Sequence, residues 1–179
     1  MLFRSYENTL KVLTQIKVPH QVLVVSKDSS VLSLARNFKA KTLQEDGESG
    51  LNLALKKSIQ VIKAYSAQKV MVLPADLPFL NQEDLEGVMK YEVDAPFMLI
   101  SPDRKLSGTN LLYISPPDLI EFSFGPGSFE RHVRQAQAHN ATIEVRKFSG
   151  SDLDIDSPED LELFKKLIVF EQKNQYLKI

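Results

Sequence analysis

Val70-Met-Val-Leu-Pro-Ala-Asp-Leu-Pro78 is a run of four apolar residues followed by an aspartate held between two prolines. A short apolar run bounded by turn residues reads as a buried strand, and Asp76 then stands just past its carboxyl end. Open α/β sheets bind ligands along that edge, while a turn aspartate bonded to its own backbone is the local alternative. Runs of the same kind predict further strands over 21–25, 96–100, 110–114 and 142–145, beside 70–73. Helical periodicity predicts helices over about 3–16, 50–66, 82–91, 128–138 and 158–172. Asn81 suits the N-cap of the third of these, and Ser157-Pro158-Glu159-Asp160 gives the last a serine cap, a first-position proline and first-turn acids. Strands alternating with helices predict an α/β fold on a mostly parallel sheet.

At 179 residues, 43% hydrophobic and 25% charged, the chain fits one globular domain over 1–179. A formal net charge of −1 argues against broad attraction to nucleic acid, so a polyanionic partner should be small. Cysteine is absent, which excludes disulfides, thiolate catalysis and cysteine zinc sites, and His20, His132 and His139 lack metal-ligand spacing. No apolar run reaches membrane-spanning length, and Arg4, Glu7 and Lys11 interrupt the start where a signal peptide needs an apolar stretch. The expectation is a soluble, cytoplasmic protein with no membrane partner.

Asp152-Leu-Asp-Ile-Asp-Ser-Pro-Glu-Asp-Leu161 supplies a second acidic station. On a strand Asp152, Asp154 and Asp156 project from one face, where their repulsion calls for a cation, and a hard ion such as Mg²⁺ suits them. Glu159 and Asp160 fall in the first helical turn and are read as dipole partners. Asp154 and Asp156 precede the cap, where α/β sheets place ligand sites. Two separated acidic stations, Asp76 and Asp154 with Asp156, are the equipment of a metal-dependent phosphate enzyme.

Two more segments suit anions. Ser107-Gly-Thr-Asn110 offers close backbone approach with hydroxyl and amide groups, although such a tetrapeptide also makes an ordinary turn into a strand. Phe124-Gly-Pro-Gly-Ser-Phe-Glu-Arg-His132 is a glycine-rich loop running into a helix, whose first N–H groups favour an anion near Ser128 or simply take a serine cap.

In their order these pieces resemble the 2-phospho-L-lactate guanylyltransferase family of deazaflavin coenzyme F-420 biosynthesis, which includes phosphoenolpyruvate guanylyltransferases. The resemblance runs from about Gln21 to Leu163 and is carried by Gly50-Leu-Asn-Leu-Ala-Leu55, Pro74-Ala-Asp-Leu-Pro78, Ser101-Pro-Asp-Arg104, Gly108-Thr-Asn110, Phe124-Gly-Pro-Gly-Ser128 with Arg131 and His132, and Asp154-Ile-Asp156. It implies a three-layer, Rossmann-like nucleotidyltransferase (GT-A-like) fold with a mostly parallel mixed sheet. It also implies transfer of GMP from GTP to 2-phospho-L-lactate, phosphoenolpyruvate or 3-phosphoglycerate. By the same resemblance Asp76, Asp154 and Asp156 are catalytic and hold Mg²⁺. Thr109, Gly125 and Ser128 bind the acceptor, and Gly50 and Asn52 approach the nucleotide. Arg104 and Arg131 are candidate phosphate partners, with surface ion pairs as the alternative. His132 is read as a hydrogen bonder near the helix start rather than a catalyst.

The start departs from the family pattern, which opens with an apolar strand and a phosphate loop before the helix matched by Ser5-Tyr-Glu-Asn-Thr-Leu-Lys-Val-Leu13. A late recorded start, a shortened homologue and a partner-supplied strand are the three explanations. An unpaired strand edge would favour homo-oligomers. A non-catalytic phospho-acid-binding homologue and a transferase using another nucleoside triphosphate are the alternative functions. Leu106 stands where the family usually has glycine.

Overall fold

Residues 2–46, 50–74 and 81–148 are described by the computed structural model. They form, in chain order, α1 (Leu2–Gln15), β1 (Leu23–Ser26), α2 (Ser29–Asn37), β2 (Lys41–Gln44), α3 (Leu51–Ala64), β3 (Val70–Val72), α4 (Gln82–Met89), β4 (Phe97–Pro102), β5 (Thr109–Ser115), α5 (Ser128–Ala138) and β6 (Thr142–Val145). The helix expected over 158–172, with its Ser157 cap, lies outside the described residues.

Four strands make a sheet in the order β3-β5-β4-β6, and β1 pairs with β2 in a separate parallel ladder. In the larger sheet β5 runs antiparallel to both β3 and β4, while β6 is parallel to β4. Three of its four strands therefore share one direction, and β5 alone opposes them, giving the mixed sheet of the expected fold.

Period-two alternation sorts the side chains of β4 and β5 onto two faces. Phe97, Leu99, Leu111 and Tyr113 pack with Leu85 and Val88 of α4 and with Ile16, just past α1. Met98, Ile100, Leu112 and Ile114 face the other way, against Ile59 of α3 and Ala136 of α5. Helix, sheet and helix thus make three layers, and every residue of β4 and β5 is buried. β4 and β5 form the centre because they read as apolar on both faces. β1 and β3 are only partly buried.

The direction of the strands decides where ligand chemistry gathers. Pro102 at the end of β4 lies opposite Thr109 at the start of β5. Val72 pairs with Leu112 and Val145 with Ile100, so β3 and β6 end on that same edge. The segments carrying Asp76 and the Asp154 and Asp156 pair follow those two strands in sequence.

Candidate active site

At this edge the chain turns from β4 into β5 through residues 103–108, and the turn is tied internally. Asp103 accepts the N–H of Ser107 at 2.8 Å, and its own N–H donates to the Gly108 carbonyl at 3.1 Å. A Cβ on Gly108 would lie 2.7 Å from the Asp103 carboxylate, so only glycine fits there without displacing it. Leu106 is 54% exposed and sits at φ 57°, a left-handed conformation that glycine adopts more easily.

The turn then caps α5 from outside that helix. Gly127, the N-cap residue, has no side chain with which to accept a hydrogen bond. Ser107 substitutes for it: its hydroxyl accepts the N–H of Gly127 at 3.0 Å and its carbonyl accepts that of Phe129 at 3.0 Å. Two donors otherwise left over at the helix start are thereby satisfied.

The loop between β5 and α5 is held by side chains along its backbone. His132 Nε2 accepts the N–H of Ser123 at 3.0 Å. Asn52 uses both ends of its amide on Phe124, donating to the carbonyl at 3.1 Å and accepting the N–H at 2.7 Å. Arg131 donates to the carbonyls of Pro126 at 2.8 Å and Ser123 at 2.7 Å. Gly125 and Gly127 supply the positive φ values, 119° and 74°, that let so short a loop enter α5.

Beneath this loop lies a buried polar cluster. Thr109 Oγ1 is 3.0 Å from Ser128 Oγ and 3.1 Å from His132 Nδ1. Ser128 and His132 are fully buried, and Thr109 is 7% exposed. Burial, with a smaller contribution from the neighbouring Arg131 cation, pushes the His132 pKa down to about 4. The ring is therefore neutral at pH 7, as its bond from the Ser123 N–H also requires.

The structure thus brings Thr109, Gly125, Ser128, Arg131 and His132 together, and ties Asn52 to the same loop through Phe124. Gly50 caps α3 and its carbonyl accepts the N–H of Ala54 at 3.0 Å. Arg131 is committed to loop carbonyls, and Arg104 occupies the 103–108 turn. Asp76, Asp154 and Asp156 lie outside the described residues. Among the described residues no group of three acidic, histidine or cysteine side chains could hold a metal, and no helix is long and apolar enough to cross a membrane. Sequence reasoning missed Ser107 as the cap of α5. The absence of a cap side chain at Gly127 is the signal that points to it.

Helices on both faces of a mixed sheet, with a glycine loop and hydroxyl pair at the strand ends, make a three-layer α/β architecture. A cytidylyltransferase from Leptospira borgpetersenii shares the fold with a TM-score of 0.64 at 14% identity, over 93% of this chain and 76% of that one. The chain belongs to the family described as "Guanylyl transferase CofC like", which matches residues 6–177. It is 40% identical over 141 residues to the phosphoenolpyruvate guanylyltransferase of Rubrobacter xylanophilus, covering 79% of this chain and 68% of that protein. It is 33% identical over 159 residues to the 2-phospho-L-lactate guanylyltransferase of Methanocaldococcus jannaschii, covering 88% of this chain and 68% of the relative. The protein is accordingly a transferase of the nucleotidyl-transferring class.

Proposed function

We propose that this chain transfers GMP from GTP to a phosphorylated three-carbon acid, 2-phospho-L-lactate, phosphoenolpyruvate or 3-phosphoglycerate, in the cytoplasmic assembly of the deazaflavin coenzyme F-420. The observation that carries this reading is the shared sheet edge. β5 begins there at Thr109, β3 and β6 end there, and the loop holding Gly125 leads into α5, whose first residue Ser128 places its Oγ 3.0 Å from Thr109 Oγ1. The two strands that end at this edge are the ones that precede Asp76 and the Asp154 and Asp156 pair in sequence.

In the reaction an acceptor phosphate oxygen attacks the α-phosphorus of GTP. A new phosphorus–oxygen bond forms there, the bond to the β-phosphate breaks, and pyrophosphate leaves. A phosphomonoester has a second pKa of about 6 and is already largely ionised at neutral pH, so the attack needs no dedicated base. A neutral, buried His132 is consistent with that economy. What the protein must supply is alignment of the two substrates. Thr109, Ser128 and the Gly125 backbone are assigned to the acceptor, and Gly50 with the start of α3 to the nucleotide. Asp76, Asp154 and Asp156 are assigned to Mg²⁺, which when bound offsets charge growing on the triphosphate.

Pyrophosphate release by the purified chain with Mg²⁺ and GTP, given each of the three acids in turn, tests the proposal. Release with at least one acid, and none without acid, is expected. Release with CTP or ATP but not GTP would replace the donor, and no release from a folded chain would reject the reading.

A further inference from the structure

The loop from Ser123 to Gly127 leaves one backbone polar group over. Every carbonyl in it accepts a hydrogen bond: those of Ser123 and Pro126 from the Arg131 guanidinium, that of Phe124 from Asn52 Nδ2, and those of Gly125 and Gly127 from the N–H groups of Ser128 and Arg131. Pro126 has no N–H, and the N–H groups of Ser123, Phe124 and Gly127 go to His132 Nε2, Asn52 Oδ1 and the Ser107 hydroxyl. Among the described residues the Gly125 N–H alone in this loop has no acceptor. Gly125 is exposed, and a Cβ added to it would meet no atom within 4 Å, so a ligand has room to reach it. A loop whose acceptors are all used, and whose one open group is a donor, suits an anion.

Asn52 decides where that donor points. The Phe124 carbonyl and the Gly125 N–H belong to one planar trans peptide and point in opposite directions. Holding the carbonyl 3.1 Å from Asn52 Nδ2 therefore turns the N–H away from α3. The preceding peptide is held at both ends, its Ser123 carbonyl by Arg131 at 2.7 Å and its Phe124 N–H by Asn52 Oδ1 at 2.7 Å, so neither plane turns without breaking a bond. An asparagine in the first turn of a helix ordinarily bonds to nearby backbone, whereas this one reaches a residue 72 positions away. We infer that Asn52 is a positioning residue of the acceptor site: by fixing the Phe124–Gly125 peptide, its amide aims the Gly125 N–H at an anionic group of the phosphorylated acid. This rests on the function proposed above, and it moves Asn52 from the nucleotide, where the family resemblance assigns it, to the acceptor.

The test uses the full chain and its Asn52→Ala variant, which loses both bonds to Phe124 and gains no charge. Nitrogen-15 amide spectra follow the assigned Gly125 N–H as phosphoenolpyruvate is added with Mg²⁺, with and without α,β-methylene-GTP, an analogue that cannot release pyrophosphate. Steady-state kinetics on the two proteins then separate the KM for phosphoenolpyruvate from that for GTP.

In wild type the Gly125 amide signal should move to saturation. In Asn52→Ala half-saturation should need about threefold to tenfold more acid, the worth of one net hydrogen bond, and the acceptor KM should rise by the same factor with the GTP KM unchanged. A loop staple with no part in binding would lower stability and leave both KM values alone. The inference is overturned by a wild-type Gly125 signal that the acid does not move in either condition, by equal acid affinity in the two proteins, or by a rise in the GTP KM. Failure of Asn52→Ala to fold would overturn it too, by making the pair a requirement of the fold. If the wild-type chain transfers nothing with any acid, the functional reading fails and the titration alone decides: a saturable Gly125 shift weakened in Asn52→Ala upholds the positioning role, and its absence overturns it.

Discussion

The side-chain amide of Asn52 pairs with the backbone of Phe124 as a second peptide would, donating to its carbonyl at 3.1 Å and accepting its N–H at 2.7 Å. The start of α3 is thereby joined to the loop that carries Gly125, coupling the side assigned to the nucleotide with the side assigned to the acceptor. Both bonds are exposed, so removing them in Asn52→Ala should cost only about 1–2 kcal/mol, read as a lower urea midpoint. Asn52→Asp should cost at least as much, because its second oxygen would face the Phe124 carbonyl. A midpoint unchanged in both variants would show that the loop does not depend on this pair.

The 103–108 turn predicts two substitutions of opposite sign. Leu106 is exposed and left-handed, so Leu106→Gly removes a steric cost of about 1–2 kcal/mol while giving back part of it through greater freedom of the unfolded chain. A gain of up to about 1 kcal/mol in denaturant unfolding is expected. Gly108→Ala brings a Cβ to 2.7 Å from an Asp103 carboxylate already tied to Ser107, and should lose about 1–3 kcal/mol. Thermal melts of the two variants moving in the same direction would contradict this description of the turn.

His132 makes stability depend on pH. Burial holds its folded pKa at about 4, below an unfolded value of ~6.5. Between those values the unfolded chain binds the extra proton, so the contribution is complete above the unfolded pKa and is lost as pH falls toward the folded one. The full span is worth on the order of 3 kcal/mol. Wild type should lose stability between neutral pH and pH ~5 more steeply than His132→Gln, because only the wild-type ring titrates there. Parallel pH profiles for the two proteins would refute the buried, neutral ring.

What the sequence disclosed follows from how local each cause is. The strand expected over 142–145 is found at Thr142–Val145, and the helix expected over 128–138 at Ser128–Ala138, because a turn residue before each, Asn140 and Gly127, and apolar spacing mark both. Asn81 caps α4 as its position suggests, accepting the Asp84 N–H at 2.8 Å. α2 and β2 went unanticipated. α2 carries a readable signal, Asp28 accepting the Ser30 N–H at 2.7 Å, but it spans only nine residues. β2 is Lys-Thr-Leu-Gln, with one apolar residue, and becomes a strand by pairing with β1. The direction of β5 is equally silent in the chain, since a doubly buried apolar run suits either orientation and the turn after β4 reverses it. At the site, Gly125 and Ser128 stand out as a glycine loop entering a helix. The bond from Asn52 to a residue 72 positions away has no local mark.

The acidic stations give a prediction of their own. Asp76→Asn and Asp154→Asn should each reduce Mg²⁺-dependent transfer by at least about a hundredfold while the melting temperature stays near that of wild type, as expected for groups that hold a metal rather than a core. Pyrophosphate assays across a Mg²⁺ titration check this. Wild-type turnover in either variant would remove that residue from the metal site.

The most direct test of the whole account is detection of the product itself. The chain is incubated with GTP, Mg²⁺ and phosphoenolpyruvate, 2-phospho-L-lactate or 3-phosphoglycerate, and the mixture is followed by phosphorus NMR. Two coupled phosphorus signals of a new guanylyl–acid anhydride, appearing in step with pyrophosphate, are the predicted result. Unchanged GTP and acid beside a folded protein, or a diphosphate formed only with another nucleotide, would contradict it.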